Sequence, residues 1–302
     1  LTKVVETQMC AKQWDEINFN HVPSLASSRY KKAFARHTVK YKEWAAKLVS
    51  TDPKVKAEVK VNAGAVYPYD VIKGIGYGYS PENENHVIAQ WEALPNYVGD
   101  ASILPLVDVS GSMTSRVGTN ANLSHLDVAV SLGLYLADKN KGKFKDTFLT
   151  FSGSPELVHL QGNVVQKVKQ MSTSKWEMNT NLHAAVQKVL DVAKMADVPA
   201  EEMPQMLLVL SDMQFDQCVR FDDSAMQMIA RKYSEAGYAM PNIVFWNLNA
   251  RDNAPAKHNE HGVALVSGFS PAIVKSVLSA DLTQFTPEGI MMKTIMSERY
   301  DY

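Results

Sequence analysis

Cysteine is nearly missing from this sequence: Cys10 and Cys218 are the two present in 302 residues. Two cysteines build no disulfide framework, and free cysteines are commonly buried hydrophobes, so a reducing, intracellular and hence cytoplasmic setting is expected. No Cys-x-x-Cys occurs, and His125, His183, His258 and His261 show no zinc-ligand spacing. Net charge is nearly missing as well, at −1, so bulk electrostatics selects no partner. No apolar run reaches the roughly 18 residues of a transmembrane helix, and the first residues lack the apolar core of a signal peptide. The sequence opens on Leu1 rather than Met, which reads as a fragment or a processed product. A Gly-x-Ser-x-Gly elbow is absent, so acyl transfer by a serine has no support. "GIGYGY" at 74–79 has neither the helix continuation nor the Gly-Lys-Ser/Thr ending of a phosphate loop and reads as a loop.

What is present is ordinary globular material, 46% hydrophobic and 21% charged. The length suits one substantial domain with an appendage. The rhythm changes near residue 100. Before it, Tyr30, Phe34, Val39, Tyr41, Trp44, Ala45 and Leu48 recur at roughly helical spacing, with Ser27 as the expected cap and Pro53 as an interruption. "HVIAQWEALPNYV" reads as one more short helix. After it, apolar runs at 102–107, 145–152, 156–161, 205–211, 242–248 and 262–268 read as strands. Helices are expected between them, in "NLSHLDVAVSLGLYLADKN", "NLHAAVQKVLDVAKMAD" and "SAMQMIARKYSEAGY", and at the end in "PEGIMMKTIMSERY". Short buried strands joined by helical crossovers predict an α/β fold with a mostly parallel six-stranded sheet flanked by helices. The pair at 145–161, separated by "GSP", predicts a hairpin and one antiparallel edge. The expected division is a helical region over 1–98 and the α/β domain over 99–302.

At the end of the first strand stands "DVSGS", placing Asp108, Ser110 and Ser112 at alternate positions around Gly111. Residues two apart in an extended segment point the same way, and glycine permits the tight turn. In open α/β sheets ligands gather beyond the carboxyl ends of strands, where the strand order reverses. "SDMQFD" brings Asp212 to the end of the strand at 205–211, and "EMNTNLHAAV" offers Thr180 just before a helix. Together Asp108, Ser110, Ser112, Thr180 and Asp212 make five hard oxygen donors with two formal charges. Such a set suits Mg2+, or Mn2+ or Ca2+, and leaves the cation electrophilic toward an acidic ligand. A polar strand-to-loop turn is the plainer reading of the same residues.

These residues carry a resemblance. "DVSGS" after an apolar strand, a later Thr and "LSD" after a further strand resemble the metal-ion-dependent adhesion site of von Willebrand factor A domains, a Rossmann-like fold, over about residues 100–290. That family often sets its Thr after two glycines, whereas "MNT" stands here. Earlier in the chain, "HVPSLASSRYKKAFARH" and "NAGAVYPYDVI" resemble an uncharacterised eukaryotic and large-DNA-virus family (DUF2828-like) related to the TROVE proteins, of which the Ro autoantigen is one. The resemblance implies the last helices of a longer helical domain, RNA binding by that domain, and a ribonucleoprotein setting.

From Arg29 to Lys60 ten Lys and Arg stand against three Asp and Glu. A solvated helical face explains such a run, while Arg29, Lys31, Lys32, Arg36 and Lys40 are the candidates for RNA phosphates that the TROVE likeness raises. The interleaved aromatics fit a core stripe better than a base-stacking platform. The function expected is therefore a divalent-cation-dependent binding module, not an enzyme, in an intracellular and RNA-associated assembly. Its metal site would engage an acidic group of a protein or nucleic-acid ligand, and no membrane is involved. Two alternatives stay open: a structural protein with a permanently bound metal, and a metal-dependent phosphoesterase, which lacks an evident general base. An aspartyl-phosphate mechanism on Asp108 would want a second acid where Ser110 stands.

Overall fold

The structure, a computed structural model, describes residues 4–73, 75, 80–99, 102–117, 123–151, 154–173, 182–212, 223–248, 263–267 and 296. Thr180, Cys218, His258, His261, the loop at 74–79 save Ile75, and almost all of the expected C-terminal helix lie outside them. The chain forms two compact units, Leu1–Pro95 with Gln161–Thr173, and Asn96–Leu160 with Ser174–Tyr302.

The first unit is helical. It contains α1 (Val5–Cys10), α2 (Ser24–His37), α3 (Val39–Leu48), α4 (Pro53–Ala57), α5 (Pro68–Ile72) and α6 (Pro81–Glu92). Its core gathers Val5, Ile17, Phe19, Val22, Phe34, Tyr41, Trp44, Ala45, Leu48 and Ala89. Phe19 packs edge-on against both Phe34 and Tyr41 with ring centroids 5.3 Å apart, the offset geometry that aromatic quadrupoles favour. The aromatic stripe is thus core, as its spacing predicts. Thr38 separates α2 from α3: its hydroxyl accepts from the Lys40 N–H at 3.2 Å and donates to Asp15 Oδ1 at 2.6 Å. The interruption expected at Pro53 is present: α3 ends at Leu48, and Pro53 opens α4 at its first turn, where a missing N–H costs nothing, with Asp52 as the cap. One sequence expectation fails here. Ser27 does not cap α2, which starts after Pro23; it lies one turn inside, buried, with its hydroxyl 3.0 Å from His86 Nε2.

The second unit is mixed α/β, with a mostly parallel sheet flanked by helices. Its strands are β1 (Ile103–Asp108), β2 (Thr147–Phe151), β3 (Leu157–His159), β4 (Met206–Ser211), β5 (Asn242–Asn247) and β6 (Val263–Ser267). The sheet order is β3-β2-β1-β4-β5-β6; β2, β1, β4, β5 and β6 are parallel, and β3 adds an antiparallel edge through Thr147↔His159 and Leu149↔Leu157. Every residue of β1 and β4 is buried, the mark of parallel strands covered on both faces. Helices α7 (His125–Lys139), α9 (Leu182–Met195) and α10 (Asp223–Glu235) belong to this unit. Leu182, Val186, Val189 and Ala193 form the buried stripe of α9, while α7 is buried over most of its surface, as its nearly all-round apolar sequence requires. The interior glycine of α7 has a cause: a Cβ on Gly133 would stand 2.5 Å from Val107 Cγ2. Buried Asn140 ties down the start of β1, accepting from Ile103 N–H at 3.2 Å and donating to Ile103 O at 2.7 Å.

One helix, α8 (Val164–Thr173), follows β3 in the chain yet belongs to the helical unit. There it packs on α5 and α6, burying Val164, Val165 and Met171, with Lys169 Nζ 3.9 Å from Glu84 Oε1.

Candidate metal centre

The strand order reverses between β1 and β4, because the chain leaves β1 toward β2 on one side and later returns to fill the other. The carboxyl ends of those two strands flank the crevice that such a reversal opens. Asp108 is the last residue of β1 and Asp212 the first after β4, at 1% and 0% exposure. Two carboxylates in so little water each carry a desolvation cost, and each must find donors.

Their donors come from the two strand ends. Asp108 Oδ1 accepts the Ser110 N–H at 2.9 Å, the turn that alternate spacing around a short loop produces, and Asp108 Oδ2 accepts the Ser211 hydroxyl. Ser110 Oγ lies 3.0 Å from Ser112 Oγ, and the Ser112 hydroxyl donates to Asp212 Oδ1 at 3.2 Å. Residues 111–114 form one 3-10 turn, closed by Met113 N–H to Ser110 O and Ser115 N–H to Ser112 O, both at 3.0 Å. Met113 is wholly buried, and its sulfur accepts the Asp212 N–H at 3.1 Å. Burial pushes the Asp108 carboxyl up from the usual carboxylate range and the Asp212 charge adds to the rise, while the Ser211 and Ser110 donors pull it down.

Four of the five expected ligands therefore meet at one point; the fifth, Thr180, lies outside the described residues. Among the described residues no group of three or more His, Cys, Asp or Glu gathers to hold a metal, so a cation here relies on hydroxyls beside two carboxylates. The spacing permits a fit test. Cis oxygens of an octahedron with magnesium-length bonds lie about 2.9 Å apart, and those of a calcium site about 3.3–3.7 Å. The 3.0 and 3.2 Å separations along Ser110, Ser112 and Asp212 are hydrogen-bond distances that fall between the two values and select neither ion. Ser211 and Met113 do not stand out in the sequence. Ser211 is visible only as the residue before Asp212 in "LSD", and nothing local marks Met113 as a sulfur acceptor.

The basic candidates divide by burial. Arg29, Lys32 and Arg36 are exposed on α2, at spacings of three and four that place them along one face. Lys40 is exposed and its Nζ donates to Asp15 O at 2.6 Å. Lys31 points inward at 4% exposure, with Nζ 3.5 Å from Ser28 Oγ, and burial draws its ammonium down to about 8.

Comparison with known proteins places these units. The model of the Domain of unknown function (DUF7788) matches residues 102–299, and that of the Domain of unknown function (DUF2828) matches residues 1–101. An uncharacterized protein of Acanthamoeba polyphaga mimivirus is 30% identical over 309 residues, covering 97% of this chain. The chain spans about half of that relative's length, 52%. Among solved structures, the Ro (RSR) protein of Deinococcus radiodurans superposes over 92% of this chain and 55% of its own, with a TM-score of 0.54 at 15% identity, a likeness of fold. The SpRpn10 VWA domain covers 62% of this chain and 95% of its own, with a TM-score of 0.37 at 14% identity.

Proposed function

We propose, from the premise that this chain belongs to the family of the Domain of unknown function (DUF7788), that its α/β unit is a divalent-cation-dependent binding module of the adhesion type. The observation that carries the reading is the pair of buried carboxylates, Asp108 and Asp212, at adjacent strand ends and joined by the Ser110–Ser112 hydroxyls. Ser110, Ser112 and Thr180 would ligate Mg2+, with Asp108 and Asp212 acting directly or through water. When bound, the cation supplies a Lewis-acidic position for an acidic group of a partner. Asp108 holds the loop through the Ser110 N–H, and Met113 holds Asp212 in place through its backbone. Titration with Mn2+, followed by calorimetry, tests this: saturable binding in the wild type and its loss in Ser110→Ala and Asp212→Asn, with folding retained, is expected. Equal affinity in all three refutes it.

A second reading concerns the helical unit. The exposed row Arg29, Lys32 and Arg36 favours contact with RNA phosphates, in an intracellular ribonucleoprotein setting. Lys31, being buried, is left out of that surface.

A further inference from the structure

The loop that carries Ser110 and Ser112 is fixed at three places by different means. Its upstream end is the parallel ladder of β1, where Val107 pairs with Thr150 and with Leu210. Its middle is pinned by buried Met113. Its downstream end, Ser115, has left the sheet and is exposed, so it needs another anchor.

That anchor is His125, the first residue of α7. Its backbone N–H donates to Ser115 O at 3.1 Å, and its Nδ1 lies 3.0 Å from Ser115 Oγ and 3.1 Å from Ser115 O. A carbonyl oxygen has two lone pairs and can only accept, so the assignment consistent with both contacts puts the ring proton on Nδ1, which donates to Ser115 O beside the backbone N–H and faces Ser115 Oγ. The imidazole is 4% exposed, and its direction is set from both sides. On the chain side, Arg116 pairs with Ser124 in an antiparallel bridge, and Val117 N–H donates to Leu123 O at 2.9 Å. On the helix side, a reciprocal cap closes the first turn: Asp127 N–H donates to Ser124 Oγ at 3.1 Å, and Ser124 N–H to Asp127 Oδ2 at 2.9 Å.

We infer that His125 is a positioning residue for the cation site: by holding Ser115 it fixes the 3-10 turn whose start presents Ser110 and Ser112. The inference rests on the reading of that site as a cation site. A ligand's supporting hydrogen bonds set its orientation, and their loss costs affinity without removing a ligand. Nothing in the local sequence marks the role, because His125 stands ten residues beyond Ser115.

The test uses the full 302-residue chain and Mn2+ as the probe, read by calorimetry, with the metal-free melting temperature measured in parallel. His125→Leu keeps the buried volume and removes the ring nitrogen that holds Ser115, and is expected to weaken Mn2+ binding by about tenfold to a hundredfold. His125→Asn returns an amide N–H near the Nδ1 position and is expected to recover most of that loss at an equal metal-free melting temperature. If His125→Leu fails to fold, Ser115→Ala, a change at an exposed residue, carries the same expectation. Wild-type affinity in both His125→Leu and Ser115→Ala overturns the role of His125 and leaves the cation site standing. No saturable Mn2+ binding by the wild type overturns the inference together with the site itself.

Discussion

Gly133 offers a sharp test of the packing that presents the site. A Cβ there would sit 2.5 Å from Val107 Cγ2, whereas carbon atoms rest at about 3.5–4.0 Å, so at least ~1 Å must be found. Val107 has little room to give: it is fully buried, β-branched, and held in the ladder on both sides immediately before Asp108. Overpacking of this kind costs about 1–3 kcal/mol, and Gly to Ala in a helix interior returns about 1 kcal/mol. Gly133→Ala should therefore be up to about 2 kcal/mol less stable than wild type, in urea denaturation followed by tryptophan fluorescence. Val107→Ala alone removes two methyl groups at about 0.8 kcal/mol each, plus a cavity cost. In the double variant the new methyl enters vacated space and should become stabilising, giving a coupling of about 2 kcal/mol. If Gly133→Ala is as stable as wild type in the Val107 background, and the cycle closes additively, the close approach of α7 to β1 is wrong.

Three further outcomes follow from other parts of the chain. Burial holds the His86 imidazole down to about 3 from its ordinary 6.5, with nearby Lys31 adding to the shift; the unfolded chain therefore binds a proton that the folded helical unit refuses. Stability should fall as pH drops below 6.5, losing about 2 kcal/mol between neutrality and pH ~5; a flat profile there refutes the burial of a neutral imidazole. Ser211→Ala deprives Asp108 Oδ2 of the hydroxyl donor that faces it in the interior, at an expected cost of about 1–3 kcal/mol in metal-free urea denaturation. For the helical unit, replacing Arg29, Lys32 and Arg36 together by Ala should make the salt dependence of RNA binding shallower by about 2–3 in a log–log plot. Binding that survives EDTA would keep RNA apart from the cation site, and an unchanged slope would remove those three residues from the interface.

The cation site was legible because its pattern is local. Asp108, Ser110 and Ser112 lie within five residues of an apolar run, and Asp212 ends another, so strand alternation and the strand-end rule suffice to bring them together. The aromatic stripe of the helical unit was legible for the same reason: helical spacing marks Phe34, Tyr41 and Trp44, although Thr38 breaks the run into two helices and Val39, counted with them, is exposed. What escaped was tertiary. Ser211, Met113 and His125 matter through partners 103, 99 and 10 residues away, and no local rule marks them. The Ser27 expectation failed because a serine before an apolar stripe looks like a cap; Pro23 starts the helix a turn earlier and turns that hydroxyl toward His86. Helix α8 went unread although Val164, Val165, Val168 and Met171 have helical spacing, since a β-branched pair just after a strand looks like more strand.

The placement of α8 also sets a timetable for the nascent chain. Residues Leu1–Pro95 leave the ribosome first, but the helical unit is finished only when Gln161–Thr173 follows, roughly 4–16 s later at ordinary elongation rates. In that interval α5 and α6, the helices that α8 packs against, await their last partner while β1, β2 and β3 are already being made. Synthesis order and the order in which the units are completed are thus interleaved.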